Sequence, residues 1–192
     1  MALLEIRTYP DPVLKERGRE VTEFGPELHQ LLDDMAETMA KAEGLGLAAN
    51  QVGEVLRLFL MDVPDGEGQR TGVIEVINPR ILSRRGEVKY EEGCLSFPNL
   101  YEPVIRANDI EVAYQDRHGQ EQKIKAKGLA AICLQHEMDH LDGITFLDRL
   151  SPLKRRVALR DYMRNNREEI EDKQFRTKAA RAKRAEPQVV SQ

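Results

Sequence analysis

Long hydrophobic runs are missing from this sequence. No apolar stretch approaches the about 20 residues that an α-helix needs to cross a bilayer. The first residues also lack the basic start and the long apolar stretch of a secretory signal peptide. We therefore expect no membrane span and a cytoplasmic location. The hydrophobic share of 41% and the charged share of 32% are those of a globular chain rather than of a disordered one.

Cysteine is scarce as well, with only Cys94 and Cys133 present. The two could pair in an oxidising compartment, but nothing in the sequence indicates secretion. Cytosolic thiols stay reduced and serve as ligands, catalysts or small core residues.

Charge is distributed unevenly along the chain. The net charge is −4, yet the residues from Ser151 onward hold 12 Lys and Arg against 6 Asp and Glu, so this part carries +6 and the first 150 residues carry −10. A basic tail suggests a polyanionic partner such as RNA, although a solvated helix with a frayed end would show the same charges. We divide the chain into a core (1–150), a C-terminal helix packed on or projecting from it (151–174), and a basic, disordered tail (175–192).

The order of predicted elements indicates an α+β fold. An amphipathic helix spans residues 26–42, with His29 exposed outside its apolar stripe, and a further helix begins at Ser151 and carries Leu153, Val157, Leu159 and Met163. The connections are mostly of hairpin length, which predicts antiparallel sheets around a central helix. Strands are predicted at residues 56–61, 73–77 (ended by Asn78-Pro79), 87–90, 110–114 and 121–125, the last two joined by a hairpin with His118 exposed at its tip.

The central helix is predicted from about Gly128 to Leu141 and contains the sequence Gln135-His136-Glu137-Met138-Asp139-His140. His136 and His140 stand one turn apart on the same face, so both imidazoles can reach one metal ion. Glu137 lies beside them and can handle the proton of a water molecule. Zinc proteases of the metzincin type carry a third histidine six residues after the second, where this chain has Phe146.

Cys94 is a candidate for the third ligand, because it lies in a Gly-Cys turn closed by Pro98. Taken alone, a cysteine is more often a small buried residue than a ligand. The stretch from Gly44 to Gly53 is rich in small residues, and it is either a helix stop with a loop or one wall of a binding site. It is not a P-loop, because no Gly-Lys-Ser/Thr follows it.

Three blocks together resemble the signature of the peptide deformylases over roughly residues 5–165: Gly44-Leu45-Gly46-Leu47-Ala48-Ala49-Asn50-Gln51, Glu92-Gly93-Cys94-Leu95-Ser96 and Gln135-His136-Glu137-Met138-Asp139-His140. Those enzymes remove the formyl group from the N-terminal methionine of nascent polypeptides and release formate. The resemblance implies one Fe(II), with zinc, nickel or cobalt as substitutes.

The resemblance also assigns roles to single residues. It makes Cys94, His136 and His140 the metal ligands and Glu137 the general acid/base that accepts a proton from the attacking, metal-activated water. The oxyanion would be stabilised by the Gln51 side chain and by the backbone N–H of Leu95. A ferrous ion beside a thiolate predicts sensitivity to oxygen.

The substrate is expected to bind as an extended peptide along Leu45, Gly46 and Gly93. The methionine side chain needs an apolar pocket. The candidates for its lining are Leu129, Ile132 and Cys133, which share one helical face with His136. Glu92, if buried, needs a partner, and we take Arg106 as a hypothesis. The partners expected are formyl-methionyl nascent peptides and, through the basic tail, the ribosome, with no membrane, no DNA and a monomeric chain.

Two other functions are consistent with parts of the sequence. One is an HExxH endopeptidase, which Phe146 and the missing downstream ligand weaken. The other is a metal-binding or ribosome-associated module without activity, although such a module would need neither Glu137 nor Gln51.

Overall fold

The computed structural model describes residues 2–65, 68–70, 72–168 and 170–172, and the chain divides after Ser151 into two compact units. The helices are α1 (Pro26–Lys41), α2 (Gly128–Leu141) and, in the second unit, α3 (Pro152–Asn165). The strands are β1 (Gly46–Ala48), β2 (Leu58–Met61), β3 (Ile74–Arg85), β4 (Val88–Cys94), β5 (Phe97–Arg106), β6 (Asp109–Gln115) and β7 (Glu121–Lys127).

The strands form two antiparallel sheets, which confirms the predicted α+β class. Five strands are ordered β1-β2-β3-β6-β7, and β4 pairs with β5 in a separate two-stranded sheet. Because β1 is an edge strand, one side of its backbone is left unpaired within the sheet.

The five-stranded sheet is covered by a helix on each face. In β2, Phe59 packs in a core cluster with residues of α2, such as Leu134, whereas Leu60 packs in a second cluster with Met35 of α1. Alternate side chains of a strand point to opposite faces, so a strand covered on both sides must be apolar throughout. This explains the continuous apolar sequence of β2.

Helix α2 is the central element, and its bounds are those predicted from the sequence. All residues from Ala131 to Leu141 are buried, so the helix is enclosed on every side rather than along one stripe. A histidine or carboxylate on α2 is therefore held in a dry, packed environment, which is where a charged or metal-binding group is most strongly affected by its neighbours.

One strand prediction is wrong, and one strand was missed. Asn78-Pro79 does not end a strand, because β3 continues to Arg85 through a bulge at this point. The Asn78 side chain replaces the lost pairing: its Oδ1 accepts from Val21 N at 2.9 Å and its Nδ2 donates to Val21 O at 2.8 Å. Strand β5 is not predicted at all, and its Pro98 lies in an irregular stretch between the pairs Cys94–Phe97 and Gly93–Tyr101.

Side-chain exposure corrects one further expectation. His29 is half-buried, with its Nε2 2.8 Å from Arg117 O, whereas His118 is exposed as predicted. In α3, Leu153, Val157 and Met163 are exposed, and the buried residues are Ala158 and Tyr162. The predicted tail at 175–192 lies outside the described residues. Within them, no helix is both long and apolar enough to span a membrane.

Candidate active site

Three side chains with metal-binding atoms meet at α2. Cys94 ends β4, and His136 and His140 lie one turn apart on the helix. The possible ligand atoms of the three side chains all lie within 4.8 Å of one another. Cys94 Sγ is 3.2 Å from His140 Nε2, and the two imidazole centroids are 5.0 Å apart. The fold therefore brings together the three residues predicted as ligands.

The donor atoms fit a divalent metal ion. A tetrahedral zinc-like ion binds sulfur at about 2.3 Å and imidazole nitrogen at about 2.0–2.1 Å, which places two ligands about 3.5 Å apart. The Cys94–His140 separation of 3.2 Å is close to this value. His136 Nδ1 lies 2.9 Å from Glu92 Oε2, which leaves His136 Nε2 for the metal. Three protein ligands and one open position are typical of a catalytic rather than a structural site.

Glu92 is held in place by Arg106, as hypothesised from the sequence. Arg106 Nε donates to Glu92 Oε1 at 2.7 Å and Nη2 donates to Oε2 at 2.9 Å, and both side chains are 3% exposed. Burial opposes the charge on Glu92, but hydrogen bonds from Arg106 and His136 outweigh it and lower the pKa of this carboxyl to about 2. The carboxylate therefore stays charged and fixes the orientation of the His136 ring.

Glu137 is buried beside the ligands, with 4% of its surface exposed. Its Oε2 has no hydrogen-bond partner among the described residues, and burial is the main cause that raises the pKa of the carboxyl to about 7. The carboxylate lies against β1, where a Cβ added to Gly46 would be 2.7 Å from Glu137 Cδ. The position of Glu137 thus depends on a glycine at position 46.

Gln51 is fixed by three contacts of its amide. Its Oε1 accepts from Ala48 N at 2.8 Å, while its Nε2 donates to Ser96 Oγ at 3.1 Å and points to Cys94 Sγ at 3.5 Å. The first contact determines which end of the amide faces the metal ligands. The N–H donor is directed into the site, as an oxyanion donor must be. The contribution of Ser96 was missed, because no local sequence signal links it to Gln51.

Leu95 and Ser96 form the two-residue turn between β4 and β5. The N-terminal segment supports this turn: Tyr9 N donates to Ser96 O at 2.9 Å, and Arg7 N donates to Gln51 O at 2.6 Å. Both predicted oxyanion donors are therefore braced by the same short segment. Asn50, next to Gln51, donates from Nδ2 to the backbone oxygen of His140 at 2.5 Å, which joins the segment before β2 to the end of α2.

An open pocket of about 540 Å³ lies beside these groups. Cys133, 6% exposed, has its Sγ 3.5 Å from Leu45 O, so the wall of the pocket joins α2 to β1. Tyr101 closes another side and packs on Gly93, where a Cβ would be 2.6 Å from the ring. The lining includes all six residues predicted to bind substrate, namely Leu45, Gly46, Gly93, Leu129, Ile132 and Cys133.

Phe146 lies at the position of the third metzincin histidine and is not a ligand. It is 1% exposed and stacks on His136, with ring centroids 6.0 Å apart and planes at 29°. It also makes an edge contact with Phe97 at 5.6 Å. The aromatic ring packs against the metal-binding histidine and shields it from solvent.

Two histidines of an HExxH helix and a cysteine at the end of β4, together with a buried glutamate and a peptide-sized pocket, define the site of a metal-dependent hydrolase. The family model described as polypeptide deformylase matches residues 3–156 of the chain. The chain therefore belongs to the polypeptide deformylase family.

Individual relatives agree with this assignment. A peptide deformylase of Wolinella succinogenes is 46% identical over 167 residues, covering 86% of this chain and 98% of the relative. The crystal structure of a peptide deformylase from Legionella pneumophila superposes with a TM-score of 0.80 at 42% identity, covering 88% of this chain and 98% of that one. The peptide deformylase of Ehrlichia chaffeensis in complex with actinonin gives a TM-score of 0.81 at 43% identity, covering 87% and 99%.

Proposed function

We propose that this chain hydrolyses the N-formyl group of formyl-methionyl nascent polypeptides and releases formate. The observation that carries the proposal is the convergence of Cys94, His136 and His140, of which Cys94 and His136 line the pocket together with Glu137. Membership of the polypeptide deformylase family supports the same reaction.

The metal proposed for Cys94, His136 and His140 is Fe(II), with zinc, nickel or cobalt as substitutes. A divalent ion held there supplies Lewis acidity to the formyl oxygen and lowers the pKa of a water molecule. One thiolate and two neutral imidazoles are ligands that all four metals accept, so the donor set supports the site without choosing the ion.

Glu137 is proposed as the general acid/base. Its carboxylate accepts a proton from the attacking water and later delivers one to the nitrogen of the departing amine. A carboxyl whose pKa is raised toward neutrality by burial is suited to both transfers. Contact with Gly46 holds the group in one place while the proton moves.

The negative charge that develops on the formyl oxygen requires donors that are already oriented. We assign this role to Gln51 Nε2 and to the backbone N–H of Leu95. The contact between Gln51 Oε1 and Ala48 N supports the assignment, because it prevents the amide from turning its oxygen toward the developing charge.

The peptide is proposed to bind in an extended conformation along Leu45, Gly46 and Gly93. Strand β1 is at the edge of its sheet and β4 has a single partner, so both offer unpaired backbone to an added strand. The methionine side chain would lie against Leu129, Ile132 and Cys133, which line the pocket next to His136. A flexible thioether suits such an apolar, irregular space.

The remaining expectations stand as proposals about the partners. We propose a cytoplasmic monomer that binds no DNA, and a basic C-terminal part that associates with the ribosome, where nascent peptides emerge. Salt-sensitive binding would follow from the +6 balance after Ser151. Co-sedimentation with ribosomes, compared between the full chain and a form ending at Gln174, tests this; equal sedimentation of both would assign no role to the tail.

Reconstituted full-length protein provides the test of the reaction. Formate release from formyl-Met-Ala-Ser is measured under anaerobic conditions, with the metal content determined for each sample. Glu137→Gln keeps the shape of the side chain and should retain metal but lose nearly all activity. Cys94→Ser should lose metal and activity together. Cleavage of a peptide bond, or formate release that survives Glu137→Gln, would overturn the proposal.

A further inference from the structure

A series of charged side chains leads from His136, a proposed metal ligand, through Glu92, Arg106 and Asp139 to Arg149. Its first members, Glu92 and Arg106, are described above, and Arg106 Nη1 also donates to Asp139 Oδ2. Asp139 in turn accepts two hydrogen bonds from Arg149, one from Nε to Oδ2 at 2.9 Å and one from Nη2 to Oδ1. Arg149, like Arg106 and Asp139, lines a separate cavity of about 760 Å³.

Burial decreases along this series of side chains, from Glu92 to Arg149. The side chains of Glu92 and Arg106 are 3% exposed, Asp139 is 10% exposed and Arg149 is 43% exposed. Arg149 is thus the most exposed member of the series. It shares no contact with the substrate pocket, whose lining does not include it.

The charges balance only when Arg149 is included. Two carboxylates, Glu92 and Asp139, face two guanidinium groups, Arg106 and Arg149. A buried ionic group is tolerated when it is paired and hydrogen-bonded, and removal of one partner leaves an uncompensated charge. Without Arg149, Asp139 would depend on Arg106 alone, and Arg106 would be drawn from Glu92 toward Asp139.

We propose that Arg149 is a positioning residue for the metal ligand His136. Arg149 donates hydrogen bonds to both oxygens of Asp139, which leaves Arg106 free to donate to both oxygens of Glu92. Glu92 then keeps the hydrogen bond to His136 Nδ1 that orients the imidazole toward the metal. This inference rests on the proposed metal site. The consequence of the positioning by Arg149 is that the metal is lost more slowly.

The experiment follows metal release from the full-length chain loaded with Co(II), in the presence of excess chelator. Release needs no substrate, so its result is independent of whether the chain deformylates peptides. Glu92→Gln should speed release by about 10- to 100-fold, the range for partners of metal-binding histidines. Arg149→Gln should speed it by about 3- to 10-fold, since its effect passes through a network. The visible Co(II) absorption should shift in both variants.

Two comparisons separate positioning from a merely structural ion pair. Arg149→Lys keeps the charge but loses the second hydrogen bond, so its release rate should lie between those of the parent and Arg149→Gln. In a Glu92→Gln background, Arg149→Gln should add no further acceleration, because the route to His136 is already broken. Arg84→Gln is the control. Arg84 is exposed and lines the same cavity, and it forms no ion pair with another residue that the structure describes.

The proposal is overturned if Arg149→Gln lowers the unfolding temperature but leaves the release rate and the Co(II) spectrum unchanged. It is also overturned if Arg149→Gln accelerates release equally with and without Glu92. Should Arg149→Gln fail to fold, Arg149→Lys in both backgrounds gives the same comparison. If Arg149→Lys then released the metal at the parental rate, a role for the two hydrogen bonds from Arg149 to Asp139 would be rejected.

Discussion

The Glu137 carboxylate lies directly against the backbone of Gly46, and a Cβ at position 46 would be 2.7 Å from Glu137 Cδ and 2.8 Å from Cγ. The side chain proposed as the general acid/base is therefore positioned by two elements, because it lies on α2 and packs against β1. Neither the helix nor the strand would fix it alone. This contact makes Gly46 part of the proposed catalytic geometry although it has no side chain.

Gly46→Ala should reduce kcat by roughly 100-fold, because displacing a reacting group by about 1 Å costs about that factor. The fold should survive, since the Glu137 side chain can move aside. Gly25→Ala is the matched control, because nothing lies within 4 Å of a Cβ at that position. Steady-state kinetics with a formylated peptide measures both variants. A Gly46→Ala enzyme with parental kcat would show that Glu137 has no required position.

Gln51→Glu should lower kcat by about 10²- to 10³-fold, as loss of an oxyanion donor does elsewhere. Glutamate keeps an acceptor for Ala48 N, so the segment after β1 retains its contact. Ser96→Ala removes the hydroxyl that accepts a hydrogen bond from Gln51 Nε2. This variant should have a smaller effect on kcat, with little change in KM. If Gln51→Glu changes KM alone, the amide contributes to substrate binding rather than to the barrier.

Asn50 should matter for stability rather than for chemistry. Its Nδ2 donates to the backbone oxygen of His140, and Asn50 is 1% exposed. Asn50→Ala removes one of the hydrogen bonds that the His140 oxygen accepts, another coming from Gly143 N at 3.0 Å, and should therefore cost about 0.5–1.5 kcal/mol of unfolding free energy. Asn50→Asp should cost more, because it places a carboxylate against that carbonyl. Urea unfolding measures both, and equal stability of the three proteins would contradict the assigned contact.

Asp148 should give the stability a pH dependence. Burial raises the pKa of its carboxyl, but hydrogen bonds from Lys15 and Thr145 outweigh burial and lower it. A lowered pKa contributes stability above the unfolded value of about 3.9, and that contribution disappears as the pH falls through the folded value. Asp148→Asn should therefore be less stable by about 1 kcal/mol at pH 7.

Unfolding of the parent and of Asp148→Asn is compared at pH 7, 5 and 3. The difference should be constant between pH 7 and pH 5 and should shrink toward pH 3, because the unfolded chain then binds the proton that the native Asp148 carboxylate resists. A difference that stays the same down to pH 3 would assign the effect to shape rather than to the charge on this carboxyl.

The central helix and its ligands could be predicted because their signals are local. The His136–His140 spacing, the glycine at 143 and the apolar run before Gln135 all act within one segment. The Glu92–Arg106 pair was also predictable, since a buried carboxylate needs a cation. Its continuation to Asp139 and Arg149 was not, because it depends on how the segment after α2 returns to the helix.

Strand β5 escaped prediction for a physical reason. Pro98 and Asn99, the latter with φ of 60°, read as a turn, yet they occupy the irregular part of a two-stranded ladder that resumes at Tyr101. Proline is accepted there because no ladder hydrogen bond is required of it. Asn78 in β3 misleads in the same way, since its side chain supplies the contacts that the bulged backbone lacks.

One product analysis decides whether the site acts as proposed. Metal-loaded full-length protein is incubated with a formyl-methionyl peptide, and formate, free amine and peptide fragments are quantified in the same sample. Deformylation predicts one formate for each new methionine amine, with all peptide bonds intact. Peptide fragments without formate, or neither product from a fully metal-loaded protein, would contradict the assignment of Glu137 and its neighbours to formamide hydrolysis.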